Sequence, residues 1–194
     1  KYSWGAAQFF LPYVIGTFSP LTGRVTSWPS VVEHCELFVA FGGLALKNAQ
    51  VSSGGAAEHA LKPWLQKLAH KGTPVVNISP MRDDCPGFVN AEWIPIRPNT
   101  DVALMLALAY EIQRLGAQDE AFLHSHCVGY QQLADYLNGV SDGVAKTPAW
   151  ASAITGIPAA RIALLARQLI GVRSFITCSY SVQRAHRGEQ PYWM

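Results

Sequence analysis

Two short apolar runs, each closed by residues that end a strand, constrain this chain more than any other feature. Residues 36–41 (Glu-Leu-Phe-Val-Ala-Phe) stop at Gly42-Gly43, and residues 74–79 (Pro-Val-Val-Asn-Ile-Ser) stop at Pro80. A strand with one wet face alternates apolar and polar residues. A run apolar throughout reads as a strand covered on both faces, the condition of a parallel sheet. Between the runs, Ala57, Leu61, Trp64, Leu65 and Leu68 recur at helical spacing over 56–70, with Pro63 placed in an early turn or at a kink. Gly72-Thr73 ends that helix. A third extended segment is expected at 92–96. A helix over 101–115 follows, with Asn99 or Thr100 as cap and Asp101 favourable at its positive end. It is apolar nearly all round, which predicts burial. Further helices are expected at 118–125, 129–137, 147–153 and 158–171, and a returning strand at 175–180.

Strand and helix alternating in this order predict an α/β fold: a doubly wound, mostly parallel, Rossmann-like sheet with helices on both faces, plus a helical segment. One α/β domain is expected to fill residues 1–194. It divides into an irregular opening (1–30, rich in Gly, Pro and Thr), a first α/β half (31–116), a helical segment (117–171), and a returning strand with the start of a helix (172–194).

Only 14% of the residues are charged, against roughly 25% in an average soluble domain, which points to surface covered by other protein or a ligand. The net charge of +2 is scattered, without the basic stripe that nucleic-acid binding requires. No apolar run is long enough to span a bilayer. Cys35, Cys85, Cys127 and Cys178 lie far apart, against a zinc ribbon or a disulfide scaffold and compatible with a reducing, cytoplasmic setting; the periplasm is the alternative. The chain opens without Met and closes on Pro191-Tyr192-Trp193-Met194, and reads as an internal piece of a longer protein.

Open α/β sheets bind ligands beyond the carboxyl ends of their strands, so the loops there carry the candidate chemistry. Gly42 and Gly43 allow close approach of the main chain to a ligand, and Lys47 offers charge neutralisation, although neither GxGxxG nor a P-loop is present. Residues 78–84 place Ser79, Arg82, Asp83 and Asp84 where dinucleotide folds read ribose, or form a solvated turn. Asn99 and Asp101 either cap a helix or accept the N–H groups of a guanine edge. Gln183, Arg184, His186 and Arg187 concentrate forked donors after the last strand, suited to an anion or polar heterocycle. His124-Ser125-His126-Cys127 has metal-ligand spacing but no second cluster, so a surface helix end is the better reading. Ser3, in Lys-Tyr-Ser-Trp-Gly, lacks the GxSxG context and the partners of a hydrolase nucleophile.

Together these segments resemble the dimethyl sulfoxide reductase family of molybdopterin oxidoreductases. Residues 2–8 (Tyr-Ser-Trp-Gly-Ala-Ala-Gln) are similar to the family's Tyr-Ser-Thr-Gly-Ala-Ala-Gln, with Thr26-Ser27-Trp28-Pro29 downstream. The Thr-Asp-x-Ala-Leu helix start at 100–104, the stretch 142–151, and the Val-Gln-Arg, Gly-Glu-Gln and Trp-Met elements of 182–194 follow in register. The nearest branch is the biotin sulfoxide reductases, with the trimethylamine N-oxide reductases as neighbours.

The resemblance implies a bis(molybdopterin guanine dinucleotide) molybdenum cofactor and reduction of S-oxides or N-oxides by oxygen-atom transfer. It also implies the remaining domains of a parent chain and an electron donor as partners. Carried over by position, Ser3 matches the oxygen ligand of molybdenum. Gly42, Gly43, Leu44 and Lys47 match the first cofactor loop, and Ser79, Pro80 and Arg82 the second. Asn99 and Asp101 match the guanine-reading pair, and Tyr180, Ser181, Gln183 and Arg184 the segment approaching the pterin. Ser79 stands where many relatives have Asp, and Trp4 where they have Thr. A non-catalytic nucleotide-binding α/β module is the competing reading.

Overall fold

The computed structural model describes residues 5–19, 26–48 and 59–194, and Ser3 lies outside them. The chain forms two compact units, one of Lys1–Asn99 with Val172–Met194 and one of Thr100–Gly171.

The first unit is built on a four-stranded, wholly parallel sheet. Its strands are β1 (Leu37–Phe41), β2 (Val75–Ile78), β3 (Glu92–Ile94) and β4 (Ser174–Cys178), in the order β3-β2-β1-β4. β1 and β2 are buried along their whole length, as unalternating apolar runs require. The lateral strands β3 and β4 are only partly covered, and Ile176 is exposed. Phe38, Ala40 and Val75 share one face, where they pack with Val31, Leu65, Leu68 and Val89. Trp28 stacks on Phe38 at 6.2 Å, and Phe175 meets the same ring at 5.2 Å.

Among the described residues of this unit, two helices precede β1 and one lies between β1 and β2. α1 (Gly5–Ile15) carries Pro12 in its interior, and α2 (Trp28–His34) is capped by Ser27 and has Pro29 in its first turn. The irregular opening expected over 1–30 is corrected here: the apolar stretch 5–15 is helical despite its proline, and α2 begins at Trp28. α3 (Leu61–Lys71) accepts Pro63 in its first turn, where no intrahelical N–H is lost, and ends at Gly72 in the left-handed region (φ 78°). Lys71 Nζ reaches back to the carbonyls of Val32, Glu33 and Cys35, satisfying the free end of α2.

The second unit is helical: α4 (Asp101–Arg114), α5 (Glu120–His126), α6 (Tyr130–Leu137), α7 (Pro148–Thr155) and α8 (Ala159–Leu169). Its boundary at Thr100 takes in α4, in place of the expected first α/β half running to residue 116. Asp119 and Thr147 accept the Phe122 and Trp150 N–H groups and so start α5 and α7. Lys146 is buried. Its ammonium pairs with Asp142 at 2.8 Å and sits 4.0 Å from the centre of the Tyr136 ring. Among the described residues no single helix is long and apolar enough to cross a membrane.

Buried Glu111 on α4 takes two charge-assisted bonds from Arg114, at 2.9 and 2.6 Å, which hold its carboxyl below the ordinary value. The folded state therefore gains from the ionised form. That gain is present above the ordinary carboxyl value of 4.5 and is lost as pH falls through the lowered one. Glu111→Gln is expected to flatten the acid side of a stability-against-pH curve, checked by urea unfolding at a series of pH values.

Candidate functional site

In a parallel sheet every carboxyl end opens on the same edge. Here the chain winds from β1 outward to β3, then returns to the far side of β1, so the order reverses at β1. This is where an open α/β sheet takes its ligands. The ladder continues one residue past the strands: Gly42 N–H donates to the Ile78 carbonyl (2.9 Å), Ser179 N–H to Phe41 (2.8 Å) and Ser79 N–H to Ile94 (3.3 Å). Three loops are thereby held side by side.

The loop after β1 passes through a gap that only glycine fits. Gly42 and Gly43 have φ of +80° and +90°. A Cβ on Gly42 would lie 2.7 Å from Val182 Cγ2, and one on Gly43 2.6 Å from Asp84 Cβ. Leu44 is buried and donates its N–H to the Asp84 carbonyl at 2.6 Å; Lys47, in the 3₁₀ turn Leu46–Asn48, is exposed.

In the loop after β2, Ser79 is fully buried. Its hydroxyl donates to Asp84 Oδ2 (2.6 Å) and accepts the Met81 N–H (3.2 Å). This serine shapes its own loop, with Asp84 as its partner. Pro80 and Arg82 face solvent. Burial pushes the neighbouring Cys85 thiol up to about 11, so it stays neutral.

After β4, the Ser179 side chain starts the 3₁₀ turn Tyr180–Gln183 by accepting the Ser181 N–H. Tyr180, Ser181 and Arg184 are exposed, whereas Gln183 is buried and its Oε1 accepts the Ala7 N–H of α1 at 2.8 Å. The last helix, α9 (Gln190–Trp193), packs on the same α1: Tyr192 lies against Ala7 and Leu11, and Trp193 meets Phe10 edge-on. The Tyr192 hydroxyl donates to the Ser179 carbonyl at 3.4 Å, and burial raises its pKa. Gly188 closes against the main chain of Gln183, where a Cβ would stand 1.7 Å from the carbonyl oxygen.

Asn99, at the end of the first unit, adopts a left-handed φ of 64°. Asp101, in the first turn of α4 in the second unit, is buried, and desolvation raises its carboxyl above the ordinary range. Thr100 occupies the cap position without a side-chain capping bond. His124, His126 and Cys127 are exposed; Phe122 stacks on His126, and Ser125 Oγ lies 2.7 Å from His126 Nδ1. Among the described residues no three metal-binding side chains gather.

At this edge the loops bring together glycines that admit close approach and the exposed cations Lys47, Arg82 and Arg184. The sequence offers Asp84 as a candidate ribose reader or solvated turn residue, not as the partner of Ser79, and it gives no sign of the Tyr192 contact or of the bond from Ala7 to Gln183. No local pattern announces contacts between residues 176 positions apart.

No family model matches the chain. Over 192 residues, 99% of its length, it is 44% identical to biotin sulfoxide reductase of Cereibacter sphaeroides. The chain belongs to the family of the biotin sulfoxide and dimethyl sulfoxide reductases. Over 193 residues it is 37% identical to the dimethyl sulfoxide/trimethylamine N-oxide reductase of Rhodobacter capsulatus and 33% identical to the trimethylamine-N-oxide reductase of Haemophilus influenzae. It spans about a quarter of the length of these family members: 26%, 23% and 23% in turn. Acetylene hydratase from Pelobacter acetylenicus shares the fold, with a TM-score of 0.62 at 18% identity over 82% of this chain and 20% of that one.

Proposed function

We propose that the chain is the cofactor-binding part of a molybdenum-dependent oxotransferase that reduces an S-oxide of the biotin or methionine sulfoxide type. The observation that carries this reading is the gap at Gly42 and Gly43 between the loops after β2 and β4. It lies at the ligand-binding edge of a chain 44% identical to a biotin sulfoxide reductase. The lower identity to trimethylamine-N-oxide reductase, 33%, favours the S-oxide over the N-oxide.

The cofactor assigned here is bis(molybdopterin guanine dinucleotide), which supplies a two-electron metal centre able to accept oxygen from the oxide. The chain's own residues bind and orient. Ser3 is assigned as the metal's oxygen ligand, a hard donor suited to a hard, high-valent ion. Gly42 and Gly43 let the main chain of the first loop, fixed by the Gly42 and Leu44 N–H bonds to Ile78 and Asp84, come close to the ligand, while Lys47 and Arg82 neutralise phosphate. Ser79 and Pro80 fix the second loop, and Ser79 acts through Asp84 without touching ribose. Tyr180, Ser181, Gln183 and Arg184 face the pterin end, and Asn99 and Asp101 read the guanine. The rest of the parent protein encloses the substrate and receives electrons from a donor. The widely separated cysteines favour a cytoplasmic enzyme.

Asp101→Asn tests the guanine assignment in two directions. Because burial raises its pKa, the folded state keeps a proton that the unfolded state releases. Stability is highest below the ordinary carboxyl value of 3.8 and falls as pH rises through the raised one. The amide avoids that penalty, so the cofactor-free protein is expected to melt higher at neutral pH, with the difference vanishing in acid. The same change removes the acceptor for two guanine N–H groups, worth about 1–3 kcal/mol of base discrimination. Cofactor content, measured as GMP released on hydrolysis, is expected to fall. Unchanged GMP content contradicts the assignment.

A further inference from the structure

Three of the four residues of β2 are apolar; the fourth is Asn77. It is 1% exposed and lies in register between Ala40 of β1 and Trp93 of β3. Neither its Nδ2 nor its Oδ1 has a protein partner. A buried carboxamide with both ends unmet is rare, because each unmet group keeps its full desolvation cost.

Asn77 lines a cavity of about 170 Å³ between the sheet and the loop that returns from β2 to β3. The other walls include Arg82, Asp83, Cys85, Asn90 and Trp93. Two of these cannot serve the amide in place. The Trp93 indole N–H already donates to the Ser79 carbonyl at 2.9 Å, and the neutral Cys85 thiol is a weak partner. At roughly 30 Å³ per molecule the space admits several waters, and the wall is polar enough to bond them. Asn90, also in the wall, ends the 3₁₀ turn Gly87–Val89 in a left-handed conformation (φ 52°).

We propose that Asn77 is a positioning residue: through water held in this cavity it ties β2 to the 82–91 loop and so sets where Ser79 and Arg82 stand at the ligand edge. The proposal rests on the cofactor reading for the purpose of that edge, but the hydrated tie is a property of the chain itself. Water is favoured over an organic ligand because Arg82, Asp83 and Asn90 are exposed at the loop and leave the cavity in contact with solvent.

The test uses the full-length protein and its Asn77→Leu and Asn77→Ser variants. A high-resolution crystal structure is expected to show ordered water bonded to both ends of the Asn77 amide, lost in Asn77→Leu and retained around the shorter hydroxyl of Asn77→Ser. Amide hydrogen exchange over 79–91 is expected to quicken about tenfold in Asn77→Leu, with the helical unit unchanged and Asn77→Ser intermediate. A dry cavity, an Asn77 amide bonded by a side chain from elsewhere in the protein, or exchange in 79–91 equal in all three proteins overturns the proposal. If Asn77→Leu fails to fold, the wild-type waters and Asn77→Ser decide. Loss of the tie with GMP and molybdenum absent from wild type refutes the cofactor reading alone.

Discussion

On the proposed assignment of Ser3 as metal ligand, Ser3→Ala in the full-length protein is expected to cut oxide reduction by at least about 100-fold while leaving the fold and the proposed guanine dinucleotide in place. Replacing groups that merely orient a metal's ligands typically costs 10–100-fold, so removing a ligand itself should cost no less. The dinucleotide is expected to remain because the loops after β1, β2 and β4 contain none of the substituted atoms. The N–H of Ala7, four residues downstream, stays bonded to Gln183. The split between activity and content is the diagnostic. X-ray absorption at molybdenum should report one oxygen ligand fewer, with GMP and metal content near wild type. Unchanged turnover, or an unchanged metal ligand set, contradicts the role given to Ser3.

Gly188→Ala is the substitution expected to harm the architecture of the edge most. A Cβ there would lie 1.7 Å from the Gln183 carbonyl oxygen and 2.5 Å from its carbon, both main-chain atoms that no rotamer change can clear. The 183–188 turn must open, which at the scale of overpacking costs about 3 kcal/mol. Opening it moves Gln183 away from Ala7 and disturbs α9, whose Tyr192 and Trp193 pack on α1. The expected result is a lower melting temperature and rapid proteolysis after β4. Gly87→Ala is the control: an added Cβ there meets nothing within 4 Å, and no such loss is expected. Equal stability of the two variants contradicts the close packing at Gly188.

The sheet was legible because its inner strands obey a physical rule that leaves a mark in one dimension. Leu37–Phe41 is apolar throughout and Val75–Ile78 is apolar but for Asn77, because both strands are buried, and glycine or proline follows within two residues of each. The opening helix was not legible, since Pro12 and the surrounding Gly and Thr argue against a helix that packing with Tyr192 supports. The boundary at Thr100 was missed for a related reason. α4 follows the last of the first three strands in sequence, yet it packs with α7 and α8.

At the site, the glycines announced themselves by type, but their neighbours did not. That Gly43 fits against Asp84, and Gly42 against Val182, depends on three loops meeting from distant parts of the chain. Ser79 shows the reverse limit. Its position suggested contact with ribose, whereas its hydroxyl is consumed by Asp84 and Met81.

The proposed function requires the carboxyl edge of this sheet to grip a guanine dinucleotide carrying molybdenum. Metal analysis of the purified full-length protein, paired with acid hydrolysis and quantification of the released nucleotide, tests it most directly. The account predicts molybdenum and GMP together, GMP in excess over metal, and both reduced in a Gly43→Val variant whose side chain would strike Asp84. Molybdenum without guanine nucleotide, or neither in a protein that still reduces sulfoxides, would contradict it.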